Sequence, residues 1–281
     1  SASPLLIITL LAMPVASWSL TSLMYCVLTN RDRDVIRRRH VPISEMHSVL
    51  GSAWLLNYLP ARPGMVGRMM YHTLVNRIAF TSVLHASLAA LACGVVASAL
   101  LVGVAIVLVL LSPDAPTSLV IATCLLPVLV LGIAAFVVRR RERSRRVLLA
   151  LLIRYIDVLT WLVRYMCIFA MLGRPVSLFE AAALTAASQA ANMIPLVGNG
   201  MGVREWASAL LAPALPTALP QAASSAVAQS TATTLTQSLA LSAELVHRAA
   251  ELLVALPIGL VSLAIVSRRI AAARAAAKLL R

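Results

Sequence analysis

Ile78–Leu111 reads IAFTSVLHASLAALACGVVASALLVGVAIVLVLL, without one Asp, Glu, Lys or Arg. About 20 helical residues cross a bilayer core of about 30 Å, so this stretch exceeds one crossing. Four further blocks reach that length: Leu5–Leu28, Thr117–Val138, Val147–Leu172 and Leu245–Val266. Their Leu, Ala, Val and Ile show no strict alternation, which argues against a β-barrel. Across 281 residues, 60% are hydrophobic and 12% charged. A soluble domain carries about twice that share of charge. The expected class is all-α, a polytopic bundle of transmembrane helices in a single integral membrane domain.

The chain holds 24 Lys and Arg against 10 Asp and Glu. Many of the bases fall in Arg31–Arg39, Arg139–Arg146 and Arg268–Arg281, beside apolar blocks. That is the positive-inside pattern of a membrane protein, and it places these three segments in the cytoplasm. No basic, aromatic-bearing stretch of soluble composition is present, so nucleic acid is not an expected partner. Anionic lipids at the basic loops are. The connector Ser112-Pro-Asp-Ala-Pro-Thr117 lacks bases and goes outside, and Val147–Leu172 then runs outward to Gly173–Ser177. The first apolar block reads as a retained span, with no base before it and Arg31 after it. The expected location is a bacterial cytoplasmic (inner) membrane. Cys26, Cys93, Cys124 and Cys167 lie apart in apolar segments and read as packing residues.

An internal repeat organises the chain. The first copy, about 42–111, carries Pro42-Ile-Ser44, Asn57-Tyr-Leu-Pro60 and Gly64-Met-Val-Gly67-Arg68. The second, about 175–266, carries Pro175-Val-Ser177, Asn192-Met-Ile-Pro195 and Gly200-Met-Gly202-Val-Arg204-Glu205, with a basic tail at 267–281. One copy follows a cytoplasmic loop and the other an external one, so the two are inverted. Inverted repeats whose matching segments are short and broken by Gly and Pro mark the central site of a transporter. Each copy is therefore expected to contain a broken or re-entrant helix, with breaks at Pro60, Gly64, Gly67, Pro195, Gly198, Gly200 and Gly202. The second copy also carries Gln221–Glu244, rich in Ser, Thr, Ala and Gln, where an extra helical pair is expected; Ser225, Gln229, Thr233 and Gln237 recur there every four residues.

A helix broken inside lipid leaves backbone groups that need partners, and such breaks survive only within protein or beside a wet cavity. Asn57 and Asn192 precede the two breaks, and their amides suit that task. Arg68 and Arg204 follow the breaks, where a guanidinium beside a helix start suits a lipid phosphate. Glu205 can pair with a base on another helix. Two helical stripes join them: Arg154, Asp157, Trp161 and Arg164, and Glu244, His247, Arg248 and Glu251. Either internal ion pairing or the lining of a headgroup path accounts for both stripes. Arg204, Glu205, Arg68, Asn57, Asn192, Arg248, Arg154 and Asp157 are thus the candidate substrate-binding residues, near the membrane midplane. The histidines have no metal-ligand spacing, and neither metal nor cofactor is expected.

At Asn57–Arg68 and Asn192–Glu205 the chain resembles the transmembrane region of lysylphosphatidylglycerol synthases, the YbhN/AglD-like membrane family. The second segment is similar to the family's Pro-x-x-x-Gly-x-Gly-x-Arg-Glu element, with one more residue between Pro195 and Gly200. His247-Arg248 and Pro257-Ile-Gly259 resemble its closing helix. In the first copy Arg62-Pro63 interrupts where the family has small residues. The resemblance implies a flippase-like translocase for a phospholipid or a lipid-linked headgroup. It implies no catalytic residues, and the 15 residues after Val266 are too few for the family's soluble aminoacyl-transferase domain. Two alternatives stay open: a membrane-embedded enzyme acting on a lipid phosphate, and a non-transporting subunit of a lipid-modifying complex. The sequence leaves room for an oligomer.

Overall fold

A computed structural model describes residues 3–30, 40–111, 117–193, 198–211 and 226–279. All regular structure among them is helical: α1 Pro4–Thr29, α2 Ile43–Leu56, α3 Pro63–Leu74, α4 Phe80–Leu111, α5 Thr117–Val137, α6 Glu142–Met171, α7 Leu178–Met193, α8 Val203–Leu211 and α9 Ala226–Leu279, with a single 3₁₀ turn at Gly198–Gly200. Four helices hold stretches long and apolar enough to cross a membrane: Pro4–Thr29, Phe80–Val107, Ser118–Val137 and Gln237–Ala276. Helix α6 has the length, 30 residues, but carries its charges in the interior. It packs against α1, α4, α5, α7 and α9, and is the centre of the bundle.

The polarity of the bundle is inverted relative to a soluble fold. Leu125, Leu126, Leu129 and Ile133 of α5 and Leu253, Leu256 and Leu260 of α9 face outward, while Arg164, Arg204, Glu244, His247 and Glu251 are buried. Apolar surface of this extent needs a lipid-like surround, and charge inside a membrane domain faces the bundle interior. The main apolar core joins Tyr155, Val158, Leu162, Tyr165 and Ile168 of α6 to Leu184 of α7 and Ala97 and Leu101 of α4.

The described basic segments, in 139–146 and 268–279, converge at one end. Arg146 bonds the Asn30 carbonyl at the end of α1, and Arg269 of α9 pairs with Glu45 of α2 at 3.1 Å. Thr29, Ser82 and Arg143 share one cavity there. The starts of α2, α4 and α6 and the ends of α1 and α9 thus lie together at a basic end. In the second copy residues 226–279 form one continuous helix, while residues 212–225, which run into the stretch where an extra helical pair is expected, lie outside the described residues. Residues 267–279 of the basic tail continue α9 as helix. Of the Ser225–Gln237 stripe, Ser225 and the side chains of Gln229 and Thr233 lie outside the described residues.

Candidate functional site

The first hairpin is α2–α3. Its turn spans Asn57–Arg62, where Pro60 removes an N–H donor and Ala61 and Arg62 take positive φ of 60° and 47°, and Pro63 then opens α3. Asn57 closes α2 through its own N–H on the Ala53 carbonyl, 2.9 Å, while its side-chain oxygen accepts the Met65 N–H at 3.1 Å. The side-chain amide thus serves a freed backbone group at the start of α3, while the end of α2 is closed by backbone alone. Gly64 and Gly67, expected in the break, lie instead in the first turns of α3, which begins at Pro63. Gly64 is there for a crossing: a Cβ would sit 2.1 Å from the Ala53 carbonyl oxygen. Around Gly67 nothing lies within 4 Å. At the open end of the hairpin, the Tyr71 hydroxyl and the Asn76 amide donate to Glu45 at 2.9 and 2.8 Å. Both helices therefore start and finish at the basic end, with the turn about 18 Å along α2 from Glu45.

The second pair is α7 and α8, and α7 begins at Leu178, shortly after α6 ends at Met171. Ser177 and Glu180 cap α7 reciprocally: the Ser177 N–H donates to Glu180 Oε2 at 2.8 Å, and the Glu180 N–H to Ser177 Oγ at 3.3 Å. Pro195 falls in 194–197, outside the described residues. Gly198–Gly200 forms the 3₁₀ turn, and Gly200 and Gly202 take φ of 69° and 83°. A Cβ on Gly200 would press the Asn192 side-chain oxygen at 2.8 Å. Glu205 caps α8 by accepting the Gly202 N–H at 2.7 Å. The two hairpins meet tip to tip: Arg62 Nη1 donates to the Asn192 carbonyl at 2.7 Å.

Beside this junction lies a buried ionic network. Arg204 donates through Nε to Glu244 Oε2 at 2.9 Å and through Nη1 to Glu251 Oε2 at 3.3 Å. Arg164 Nη1 reaches Glu251 Oε1 at 3.3 Å. Glu244 also accepts from Tyr165, from Ser188 at 3.1 Å and from Ser208 at 2.6 Å. Two guanidiniums balance two carboxylates, and His247 packs between the rings of Trp161 and Tyr165. Arg204 was expected at the headgroup, but it is wholly buried with both edges of its fork on carboxylates. Its geometry is that of an internal counter-ion.

Arg248 differs. Its Nε donates to Glu205 Oε1 at 2.7 Å, while Nη1 and Nη2, both buried, have no partner among the described residues. The outer edge of the guanidinium is the one suited to a bidentate oxyanion. The Tyr58 hydroxyl, beside Asn199, lies within electrostatic reach of Arg248. Arg154 pairs with Asp157 and donates to Gln189 at 2.7 Å, and Asp157 also accepts from Ser17. These two candidates form a tie between α1, α6 and α7, apart from the Arg248 edge. Arg68 stands alone on α3, 2.9 Å from Ser87 and stacked on Tyr25.

Arg62, Tyr58 and Glu45 were missed as site or tie residues. Arg62 and Tyr58 sit inside the repeat motif, and Glu45 is one of only 10 acids, so scarcity of carboxylates was the available signal. Neither the family models nor the curated proteins nor the solved structures contain a match to the chain.

Proposed function

We propose that the protein moves a phospholipid, or a lipid-linked anionic headgroup, between the leaflets of its membrane. The reading takes α2–α3 and α7–α8 as inverted re-entrant hairpins, entering from opposite faces. The observation that carries it is their tip contact, Arg62 on Asn192, beside the free outer edge of Arg248. Broken helices are tolerated at membrane depth where they border protein or a wet cavity, and two such breaks facing each other make a polar seam through the bundle. Along that seam a headgroup exchanges water for guanidinium and amide donors while its acyl chains remain in lipid.

The headgroup contact is placed at Arg248 rather than Arg204, because Arg204 has no free edge. Arg248 lies about 30 Å along α9 from Arg269, toward the opposite face rather than at the midplane. The near-neutral Arg248–Glu205 pair tunes that contact: Glu205 holds the guanidinium by Nε and leaves the outer edge for ligand.

The test is leaflet exchange of labelled phosphatidylglycerol in proteoliposomes, with protein oriented and quantified. Wild type should accelerate exchange over empty vesicles. Arg248→Gln should slow it about tenfold or more, the effect of losing a charge-assisted contact of about 1.5–3 kcal/mol. Arg274→Ala, on the exposed end of α9, should match wild type. Wild-type protein that leaves exchange at the empty-vesicle rate refutes the translocase reading.

A further inference from the structure

Apart from Arg68, the buried arginines of the described residues pair with acids, Arg164 with Glu251, Arg204 with Glu244 and Glu251, and Arg248 with Glu205, as does the half-buried Arg154 with Asp157. Arg68 breaks the pattern. It is only 5% exposed, and among the described residues no carboxylate pairs with it. Its contacts are Ser87 Oγ, 2.9 Å from Nη2, and the Tyr25 ring, 3.8 Å from its Cζ. The Ser87 hydroxyl proton is already donated to the Val83 carbonyl at 2.8 Å, so Ser87 supplies Arg68 with an acceptor but no negative charge. A cation withdrawn from water toward lipid depth, without a counter-ion, is a functional site by default.

Its place is informative. Ser87 lies about 10 Å along α4 from Phe80, so the guanidinium sits in the half of the bundle nearest the basic end. Tyr25 of α1 and Ser87 of α4, which contact the guanidinium, are only partly buried, so Arg68 lies one side chain below the surface. The face of α3 beyond it, with Val66 and Met70, is exposed and apolar. A ligand arriving there brings an anionic group to Arg68 and apolar chains to α3.

We infer that Arg68, with Ser87 and Tyr25, is a second anion site, which takes the phosphodiester of a lipid from the leaflet at the basic end. This inference rests on the translocase reading for its role as the loading position opposite Arg248, but the binding itself does not. Arg68 corresponds in the repeat to Arg204, and the two have diverged: one copy's arginine is neutralised by protein, and the other's is left for the ligand.

The experiment is lipid retention by the purified full chain in neutral phosphatidylcholine nanodiscs doped with phosphatidylglycerol, read by native mass spectrometry. Inorganic phosphate is the competing arm. Arg68→Gln should lower phosphatidylglycerol retention at least tenfold at matched folded protein, and Arg68→Lys should restore part of it, since a point charge lacks the planar fork. Phosphate alone should displace lipid only weakly; displacement at equal concentration would assign the site to a free anion and overturn the lipid assignment. Equal retention by wild type and Arg68→Gln overturns the site. Should Arg68→Gln fail to fold, Ser87→Cys carries the test by peptide mass spectrometry of residue 87. Phosphatidylglycerol must slow its alkylation several-fold relative to phosphatidylcholine alone, and an unchanged rate refutes the inference. Exchange measured on the same preparations separates the two readings: binding at Arg68 without wild-type exchange sinks the translocase alone, and exchange without Arg68-dependent binding sinks this site alone.

Discussion

Replacing Arg204 by alanine should be a stability lesion and not a binding lesion. The side chain is wholly buried and holds two carboxylates, Glu244 at 2.9 Å and Glu251 at 3.3 Å. Removing one member of a buried ionic set costs about 3–5 kcal/mol, because the remaining charge stays enclosed without its partner. The two carboxylates are not equally exposed to that loss. Glu251 keeps Arg164, whereas Glu244 keeps only hydroxyl donors: Tyr165, Ser188 and Ser208. The uncompensated charge therefore sits on Glu244, and Glu244→Gln added to Arg204→Ala should recover a large part of the loss. Against a total stability of about 5–15 kcal/mol, the single variant should show a clear fall in unfolding midpoint in detergent. The double-mutant cycle over Arg204 and Glu244 should give a coupling of about 2 kcal/mol or more. The assay is equilibrium unfolding in mixed micelles, with lipid exchange measured per folded molecule on the same samples. The reasoning fails if Arg204→Ala unfolds at the wild-type midpoint. A normal midpoint combined with lost exchange would return Arg204 to the headgroup site and remove Arg248 from it.

Three other outcomes are expected. Gly64→Ala should destabilise by about 1–3 kcal/mol by overpacking, since its Cβ would lie 2.1 Å from the Ala53 oxygen, whereas Gly67→Ala, with open space around it, should be neutral or slightly stabilising by thermal unfolding. Arg62→Ala removes the bond between the hairpin tips, so amide exchange of Tyr58–Met65 should quicken while that of the α6 core stays at the wild-type rate; an unchanged pattern would show the tip contact to be idle. Single cysteines at Arg143 and Arg274 should be labelled by an impermeant reagent from one side of the membrane and a cysteine at Arg174 from the other; common labelling of all three would refute the arrangement of the basic end.

The sequence by itself determined the class and the punctuation of this protein. Uncharged blocks such as Ile78–Leu111 require helices in lipid, because only internal hydrogen bonding satisfies a backbone there. The break at Pro60 was legible because its causes are local: a missing N–H, a restricted φ and an adjacent Asn57 whose side chain bonds the start of α3. The basic end was legible because charge beside an apolar block is read along the chain. Other features were not local. Gly64 looked like a break and is a crossing, since its meaning depends on Ala53 coming within reach. Arg204 and Arg248 looked alike as arginines near broken or striped helices, and nothing in either neighbourhood distinguishes them. Only packing did so, by bringing Glu244 and Glu251, 40 and 47 residues away, onto Arg204, while Arg248 received one carboxylate on its Nε edge. Among the described residues Arg68 received none. A guanidinium's role is set by which carboxylates come within about 4 Å in space, and the tertiary structure alone decides those distances.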